Sequence, residues 1–491
     1  MKICLIVPPS VFLLDERVFM TLGILKVAAV LEKAGDTVDV IDCSGIANYP
    51  EVIIDYCWNH APDLFGITAT TPQLPSAMEI LRTIRSYRPN SKIILGGPHV
   101  TMVNAARKYE ARRGSTGRGH SSFQRLAEQF DVLVAGDGEH AIFRAIKPNA
   151  PKLIDADDPK TTLFLTNAML GELPLPARHL VDVGSYHYSI DSVSALSMIA
   201  QLGCPFECGF CCGRSSPFLR KVRTRSSKQV VAEMVHLYQT YGIRGFMMYD
   251  DELNVNPKMV EMMDLISETQ LELGVEFRLR GFIKAELFTD EQAAAMHRAG
   301  FRWVLTGFES GSPRILENIN KKSDREENGR CIEIARRHGL KVKALMSLGH
   351  PGESAKTAEE TQNWLLEAKP DDFDVTIITT YPGTPYYDEA VLVDNDTWVY
   401  TYAKTGDRLY SVDVDFGQVA EYYKGNPDGG YRSYVYTDFL SANELVDLRN
   451  SIEQKVRERL SIPFNPARPA LQYEHSMGQM GLPGHILRST G

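Results

Sequence analysis

The sequence predicts two α/β units in series, a doubly wound open parallel sheet and then a partial (β/α)6 TIM-type barrel, with a small, mainly helical or irregular C-terminal region. Three observations predict this. Two separate runs of strand–helix alternation occupy the chain, which is the pattern of parallel sheets. A proline-rich stretch with little periodicity parts them. The 491 residues are too many for one hydrophobic core but enough for two or three.

Over residues 1–147 the apolar runs Lys2–Val7, Val38–Ile41, Leu64–Thr68, Lys92–Leu95 and Asp131–Ala135 read as strands. Thr21–Ala34 and Ser76–Tyr87 carry apolar residues at spacings of three and four and read as helices. Ligands of open α/β sheets sit beyond the carboxyl ends of the strands. Those ends carry Pro8-Pro9-Ser10, Thr68 to Thr71, Gly96-Gly97-Pro98-His99 and Gly136-Asp137-Gly138. The Arg- and Gly-rich segment Arg107–His120 breaks the pattern and is expected to be a mobile excursion without a function. Residues 148–190, with Pro148, Pro151, Pro159, Pro174 and Pro176, are expected to be a linker.

The second alternation spans residues 191–390. Its strands are Val193–Ala200, Gly245–Tyr249, Val275–Arg280, Trp303–Gly307, Lys341–Leu348 and Phe373–Thr379, with helices such as Ser227–Tyr241, Asp290–Ala299 and Asp324–His338. Repeated strand–helix units of this kind predict an incomplete (β/α) barrel. Residues 391–491 turn irregular and Tyr-rich, with one helix at Ala442–Leu460 and a tail containing Pro and Gly. No internal repeat of fixed period is visible.

A net charge of −9 from 62 acidic and 53 basic residues argues against nucleic acid or an anionic membrane as partner. No uncharged apolar stretch approaches the roughly 20 residues of a membrane span. The apolar run at the start is cut short by Pro8-Pro9 and reads as a strand, not a signal peptide. A cytoplasmic protein is expected. Four of the eight cysteines, Cys4, Cys43, Cys57 and Cys331, are scattered, whereas Cys204, Cys208, Cys211 and Cys212 crowd together. In a reducing compartment clustered thiols bind metal more often than they form disulfides.

The run Gln201-Leu-Gly-Cys-Pro-Phe-Glu-Cys-Gly-Phe-Cys-Cys-Gly-Arg214 follows the first strand of the second alternation. Its Cys-x3-Cys-x2-Cys spacing suits three irons of a cubane cluster, with the fourth iron left open for chemistry. A structural zinc site is the competing reading. It needs a fourth protein ligand, and Cys212 stands too close to Cys211 for both to turn easily to one metal. Cys212 itself reads either as a small residue packed beside the cluster or as a catalytic thiol.

This loop, with Phe210 just before its third cysteine, resembles the signature of the radical S-adenosylmethionine (SAM) enzymes. The resemblance covers about residues 192–390 and implies a [4Fe–4S] cluster on Cys204, Cys208 and Cys211 whose open iron chelates the amino and carboxylate groups of SAM. It also implies SAM contacts from the ends of later strands. Asp250-Asp251-Glu252 matches the polar group facing the SAM amine, although many members have Gly-Gly-Glu there. Glu309, in Gly307-Phe-Glu-Ser-Gly-Ser312, resembles the ribose-binding acid; Ser310 and Arg280, the latter ending the third strand, are placed near the SAM carboxylate. Leu345-Met-Ser-Leu-Gly-His-Pro-Gly-Glu353, including Gly349, resembles the segment along adenine, and Tyr381-Pro-Gly-Thr-Pro-Tyr386, including Pro382, the turn over the base.

The first unit resembles the cobalamin-binding domain that precedes the barrel in one subgroup of these enzymes. Leu22-Gly-Ile-Leu25 with Leu31-Glu-Lys-Ala-Gly35, Thr70 to Gln73, Leu95-Gly-Gly-Pro-His-Val-Thr101 and Gly136-Asp-Gly-Glu139 carry that likeness. It makes Thr70, Gln73, Gly96, Gly97, Gly136 and Glu139 candidate cobalamin contacts, with the Gly96-Gly97 backbone letting a flat ligand lie close. No Asp-x-His-x-x-Gly loop is present to give cobalt a histidine, and His99 is read as a loop hydrogen-bonder.

The resemblance implies a cobalamin-dependent radical methyltransferase for a small molecule, in which a 5′-deoxyadenosyl radical takes a hydrogen atom from an unactivated carbon and methylcobalamin supplies the methyl group. An electron donor such as flavodoxin or ferredoxin goes with it. Three alternatives stay open: an oxidative cyclase without methyl transfer, a transferase that breaks another C–S bond to pass on the 3-amino-3-carboxypropyl group, and a non-catalytic cobalamin or iron sensor. The substrate is not identified by the aromatic run Tyr422, Tyr423, Tyr431, Tyr434 and Tyr436, or by the tail residues His475, Met477, Met480 and His485.

Overall fold

The computed structural model describes residues 1–11, 13, 16–423 and 431–463; the four tail residues named above lie outside them. Strands β1 (Lys2–Val7), β2 (Thr37–Asp42), β3 (Leu64–Thr68), β4 (Lys92–Gly96), β5 (Val132–Gly136) and β6 (Leu153–Ala156) form one parallel sheet in the order β2-β1-β3-β4-β5-β6. Side chains alternate across a strand, so the sheet feeds two cores. Ile3, Leu5 and Val7 pack with the helix Leu22–Lys33, while Cys4 and Ile6 pack with the helix Leu74–Tyr87 on the other face.

Two expectations for this region need correction. β6 pairs in parallel with β5, so part of the stretch expected to be linker completes the first sheet. Arg107–His120 is not a loose excursion, because the helix Pro98–Arg112 turns sharply into the helix Arg118–Gln129. The Glu110 carboxylate holds that turn by accepting from the backbone N–H groups of Gly117 (3.0 Å), Gly119 (2.7 Å) and His120 (2.8 Å). These are the orphan donors of the second helix, satisfied by a carboxylate one turn of chain away and not by a local cap. Arg118 then stacks between Tyr387 and Trp398, 3.6 and 4.1 Å from their ring centroids.

The second sheet contains β7 (Ser189–Ile190), β8 (Val193–Met198), β11 (Gly245–Met248), β12 (Arg278–Phe282), β13 (Phe301–Glu309), β14 (Lys341–Leu348) and β15 (Asp372–Ile377). Its order is β15-β14-β13-β12-β11-β8-β7, and β8 with β11–β15 makes the six parallel strands of a partial barrel. A two-strand ribbon, β9 (Gln201–Leu202) with β10 (Arg223–Thr224), closes the base of the loop that carries the cysteines.

The C-terminal region is more regular than expected. β16 (Val391–Leu392), β17 (Thr397–Thr401), β18 (Arg408–Val412) and β19 (Val435–Thr437) form an antiparallel sheet, built of strands too short for their period of two to stand out in sequence. The expected helix is present at Ala442–Leu460, and it covers the edge strand β15. Glu453 accepts from Val375 N (2.6 Å), Arg449 donates to Val375 O (2.9 Å), and Tyr431 Oη accepts from Ile377 N (2.8 Å). Backbone groups that an open barrel would leave bare are thereby satisfied.

Buried ion pairs join the units. Arg223, between the cysteine loop and the barrel, donates to Asp137 after β5 (2.6 Å), with both side chains only 1% exposed. Asp157, after β6, accepts from Ser216 Oγ (2.6 Å) and Phe218 N (2.8 Å). Arg457 of the last helix is shared by Glu453 (2.7 Å) and Asp372 (3.2 Å), all three buried. Arg457→Met is expected to destabilise the protein by about 3 kcal/mol, because it leaves buried carboxylates short of their cation; the midpoint of urea unfolding measures this.

Candidate active site

The acid triplet after β11 holds the root of the cysteine loop. One Asp250 oxygen accepts from the backbone N–H of Ala200 (2.9 Å) and of Gln201, and Asp251 accepts from Gly203 N (2.7 Å). Gln201 Nε2 donates to Glu252 O (3.1 Å). Three consecutive residues thus grip the four that lead into Cys204. The second Asp250 oxygen is buried without a partner, and burial pushes the carboxyl up to about 7 against the two backbone donors that pull it down. Asp251 keeps an exposed side chain at the mouth of the barrel, beside Tyr249. Tyr249 remains 38% exposed although Phe19 lies against it at 5.4 Å between ring centroids, so the strand ends border open space.

Within the loop, Cys204 N donates to Leu219 O (3.0 Å) and Cys211 N to Cys208 O (3.2 Å), which curls the backbone between the cysteines. Cys211 lies within electrostatic reach of both Cys204 and Cys208. Burial pushes the Cys204 and Cys211 thiols up to about 12 and Cys212 to about 11, so ionising them calls for a bound cation. Among the described residues no three His, Cys, Asp or Glu side chains sit close enough to share one metal ion. Cys212 lies within electrostatic reach of Tyr381 and Tyr423.

Glu309 ends β13 in the left-handed region, at φ 66°, where a side chain is strained unless its surroundings fix it. A register shift between Gly307 and Glu309 accompanies the turn, and a Cβ on Gly307 would run into the Glu309 carboxylate. Ser347 Oγ donates to Glu309 Oε2 (2.8 Å), His350 Nε2 lies 2.8 Å from the same hydroxyl, and Tyr386 Oη lies 3.2 Å from His350 Nδ1. Lys321 Nζ approaches the other Glu309 oxygen at 3.5 Å. Phe210 of the cysteine loop packs on His350 with ring centroids 5.3 Å apart. The sequence reading passed over His350, Tyr386 and Lys321. The first two lay in segments valued for their backbone, and Lys321 lay in a turn between helices that carried no pattern.

Other expected residues are turned elsewhere. Arg280 is not at the end of β12 but inside it, in register with Trp303, six positions before Glu309 on the neighbouring strand. On its other side it is level with Met247 of β11, two positions before Tyr249, and its guanidinium donates to Tyr188 Oη (3.2 Å). Ser310 is buried against the helix Ala355–Ala368, its hydroxyl 3.0 Å from Thr361 Oγ1 and accepting from Ser312 N (3.0 Å). Gly349 needs its φ of 86° and donates to Glu353 Oε2 (3.2 Å). Pro382 is buried in a turn that Thr384 closes by donating its hydroxyl to Tyr381 O (2.7 Å).

In the first unit Thr70 is exposed beyond β3 and its N–H donates to Gln73 Oε1 (3.0 Å). Gln73 Nε2 donates to Pro8 O (2.9 Å), so this side chain ties two strand ends together. Gly97 is required by its own chain, because at φ 98° a Cβ would lie 2.8 Å from Ala69 N; Gly96 has nothing nearer than 3.9 Å. Gly136, at φ 83°, abuts the backbone of Ala156. Glu139 is buried close to Lys26 and Asp137. His99 is buried with Nδ1 3.0 Å from Thr71 Oγ1, as expected of a loop hydrogen-bonder. A cavity of about 450 Å³ opens away from these groups, at the end of β2, where Arg17 and Asp42 neutralise each other at 3.0 Å.

Residues 198–365 match the model of the Radical SAM superfamily, and residues 16–127 match that of the B12 binding domain. The chain carries a B12-binding domain followed by a radical SAM domain. An uncharacterised methyltransferase of Pyrococcus horikoshii is 28% identical to it over 80% of this chain and 83% of that one. An anaerobic magnesium-protoporphyrin IX monomethyl ester cyclase of Cereibacter sphaeroides is 24% identical over 70% of this chain and 55% of its own length. The fold is that of the radical SAM methyltransferase TsrM of Kitasatospora setae, solved with cobalamin and a [4Fe–4S] cluster, with a TM-score of 0.64 at 17% identity over 95% of this chain and 89% of that one. In the radical SAM domain the cysteine loop, Glu309 and the Tyr381–Tyr386 turn gather at one end of the barrel. Among the described residues no helix is long and apolar enough to cross a membrane.

Burial raises the Glu353 carboxyl from its ordinary range to about 7. A folded acid that holds its proton to higher pH than the unfolded one makes stability fall as pH rises from about 4.5 to about 7. Glu353→Gln is expected to flatten that part of the curve by about one proton's slope, read from thermal midpoints across the pH range.

Proposed function

We propose that the chain is a cobalamin-dependent radical SAM methyltransferase that acts on a carbon atom of a small molecule. The observation that carries this reading is the meeting of the two domains at one turn. A Cβ on Gly383 would lie 3.3 Å from the carbonyl oxygens of both Cys212, in the cysteine loop, and Met102, in the helix that follows β4. The B12-binding domain and the cysteine loop therefore meet at this turn, an adjacency that suits two cofactors acting on one substrate.

Cys204, Cys208 and Cys211 are the ligands in this reading. Three thiols on one loop, without a fourth protein ligand that can easily turn to the same metal, suit a multi-iron cluster better than a tetrahedral zinc. When bound, the cluster with SAM supplies a carbon radical, and cobalamin supplies the methyl group. Glu309, aimed by strain and held by Ser347 and Lys321, presents a carboxylate to the ribose hydroxyls. Asp251, exposed at the mouth, faces the SAM amine, while Asp250 and Glu252 hold the loop. Thr70, exposed at the end of β3, and the open backbone at Gly96 face the corrin. Cys212, within electrostatic reach of Tyr381 and Tyr423, stands on the substrate side of the loop as a candidate catalytic thiol. The electron comes from a donor such as flavodoxin or ferredoxin, and the protein works in the cytoplasm. A cyclase is the second reading, favoured by the similarity to the anaerobic cyclase.

Anaerobically reconstituted protein is expected to bind one cluster, to lose it on Cys204→Ala, Cys208→Ala or Cys211→Ala, and to keep it on Cys212→Ala, as iron and sulfide analysis reads out. With a strong reductant, turnover is expected to yield both 5′-deoxyadenosine and S-adenosylhomocysteine, with isotope from the SAM methyl group in the product. Deoxyadenosine without transferred label supports the cyclase, and methylthioadenosine supports aminocarboxypropyl transfer. Protein that binds no corrin is not a methyltransferase of this kind.

A further inference from the structure

The turn Ile319–Lys322 is clamped to the cysteine loop on both sides of Cys208. Ile319 O accepts from Gly209 N (2.8 Å), and Asn320 Nδ2 donates to Glu207 O (2.9 Å). Asn320 and Lys322 both take left-handed backbone, at φ 53° and 59°, a strain that persists only where the surroundings enforce it. Between them Lys321 is buried. Its ammonium lies 3.5 Å from Glu309 Oε1 and within electrostatic reach of the Cys208 thiol, Glu252 and Glu286. The surroundings are poor in water, so this charge is weakly screened.

We propose that Lys321 is a positioning residue that keeps a positive charge against the Cys208 side of the iron–sulfur cluster and so raises its reduction potential. The inference rests on Cys208 being a cluster ligand. Uptake of one electron from the external donor protein adds one negative charge to the cluster, and a fixed neighbouring cation favours that state. The same ammonium balances Glu309, which otherwise opposes reduction from the same side. Lys321 thus allows a carboxylate to stand at the SAM ribose without making the cluster harder to reduce.

An EPR-monitored redox titration of reconstituted protein, without SAM, tests this in Lys321→Met, Lys321→Arg and Glu309→Gln. Lys321→Met is expected to move the midpoint to more negative potential, Lys321→Arg to keep it near that of the wild type, and Glu309→Gln to move it to more positive potential. A merely structural lysine does not produce shifts of opposite sign. If Lys321→Met retains wild-type iron and sulfide and an unchanged midpoint, the proposal is wrong. If Lys321→Met does not hold a cluster, an unmoved midpoint in Glu309→Gln overturns it instead. Retention of the cluster by Cys208→Ala would be a different failure, that of the ligand assignment.

Discussion

Everything at the barrel mouth depends on carboxylates that hold backbone N–H groups at the root of the cysteine loop. A loop can present three thiols to one cofactor only if its ends are fixed. Here one end is fixed by Asp250 and Asp251 receiving the amides of residues 200, 201 and 203, and the other by the β9–β10 pairing. Hydrogen bonds to a carboxylate from several amides are strong because they are charge-assisted. Burial works against them by favouring the neutral acid, which is why Asp250 rises to about 7. The root is therefore rigid but electrostatically taut.

The same device, a buried charge received by backbone or by an opposite charge, joins the two domains. Arg223 reaches from the β10 side of the cysteine loop to Asp137, while Asp157 receives Ser216 and Phe218 from the same arm of that loop. That arm is thus tied to the ends of β5 and β6 of the first sheet. A buried pair of this kind contributes little net stability compared with apolar packing, yet it tolerates no change of register. For a reaction that needs two cofactors in one enclosure, fixed register matters more than added stability.

Strands, helices and the three thiols were legible in the sequence because their patterns are local. β1, β3, β14 and the last helix coincide with the runs read from periodicity, and Cys204, Cys208 and Cys211 stand out by spacing alone. What was illegible depended on distant partners. The helix that begins at Arg118 is capped by Glu110 across a turn, and the short strands β16–β19 gain their order only from each other. The partners of Arg280 and Ser310 are distant as well: β12 continues past Arg280 to Phe282, and Ser310 turns into a helix that follows some fifty residues later. The glycines at 97 and 136 are each required by neighbouring backbone, of Ala69 and of Ala156, which sequence alone does not reveal.

The chain from Tyr386 to Glu309 shows how such distant partners set chemistry. Ser347 donates to Glu309 Oε2, so its oxygen accepts from His350 Nε2–H. His350 Nδ1 is then left to accept from the Tyr386 hydroxyl. Only a neutral imidazole can do both, and burial, which pushes His350 down to about 3, keeps it neutral. Each donor is consumed by the next acceptor, and the run of dipoles points at Glu309. Phe210, packed on His350, couples that run to the cysteine loop. The carboxylate is therefore fixed in place by the turn at Tyr386 from one side and by Lys321 from the other, before any ligand arrives.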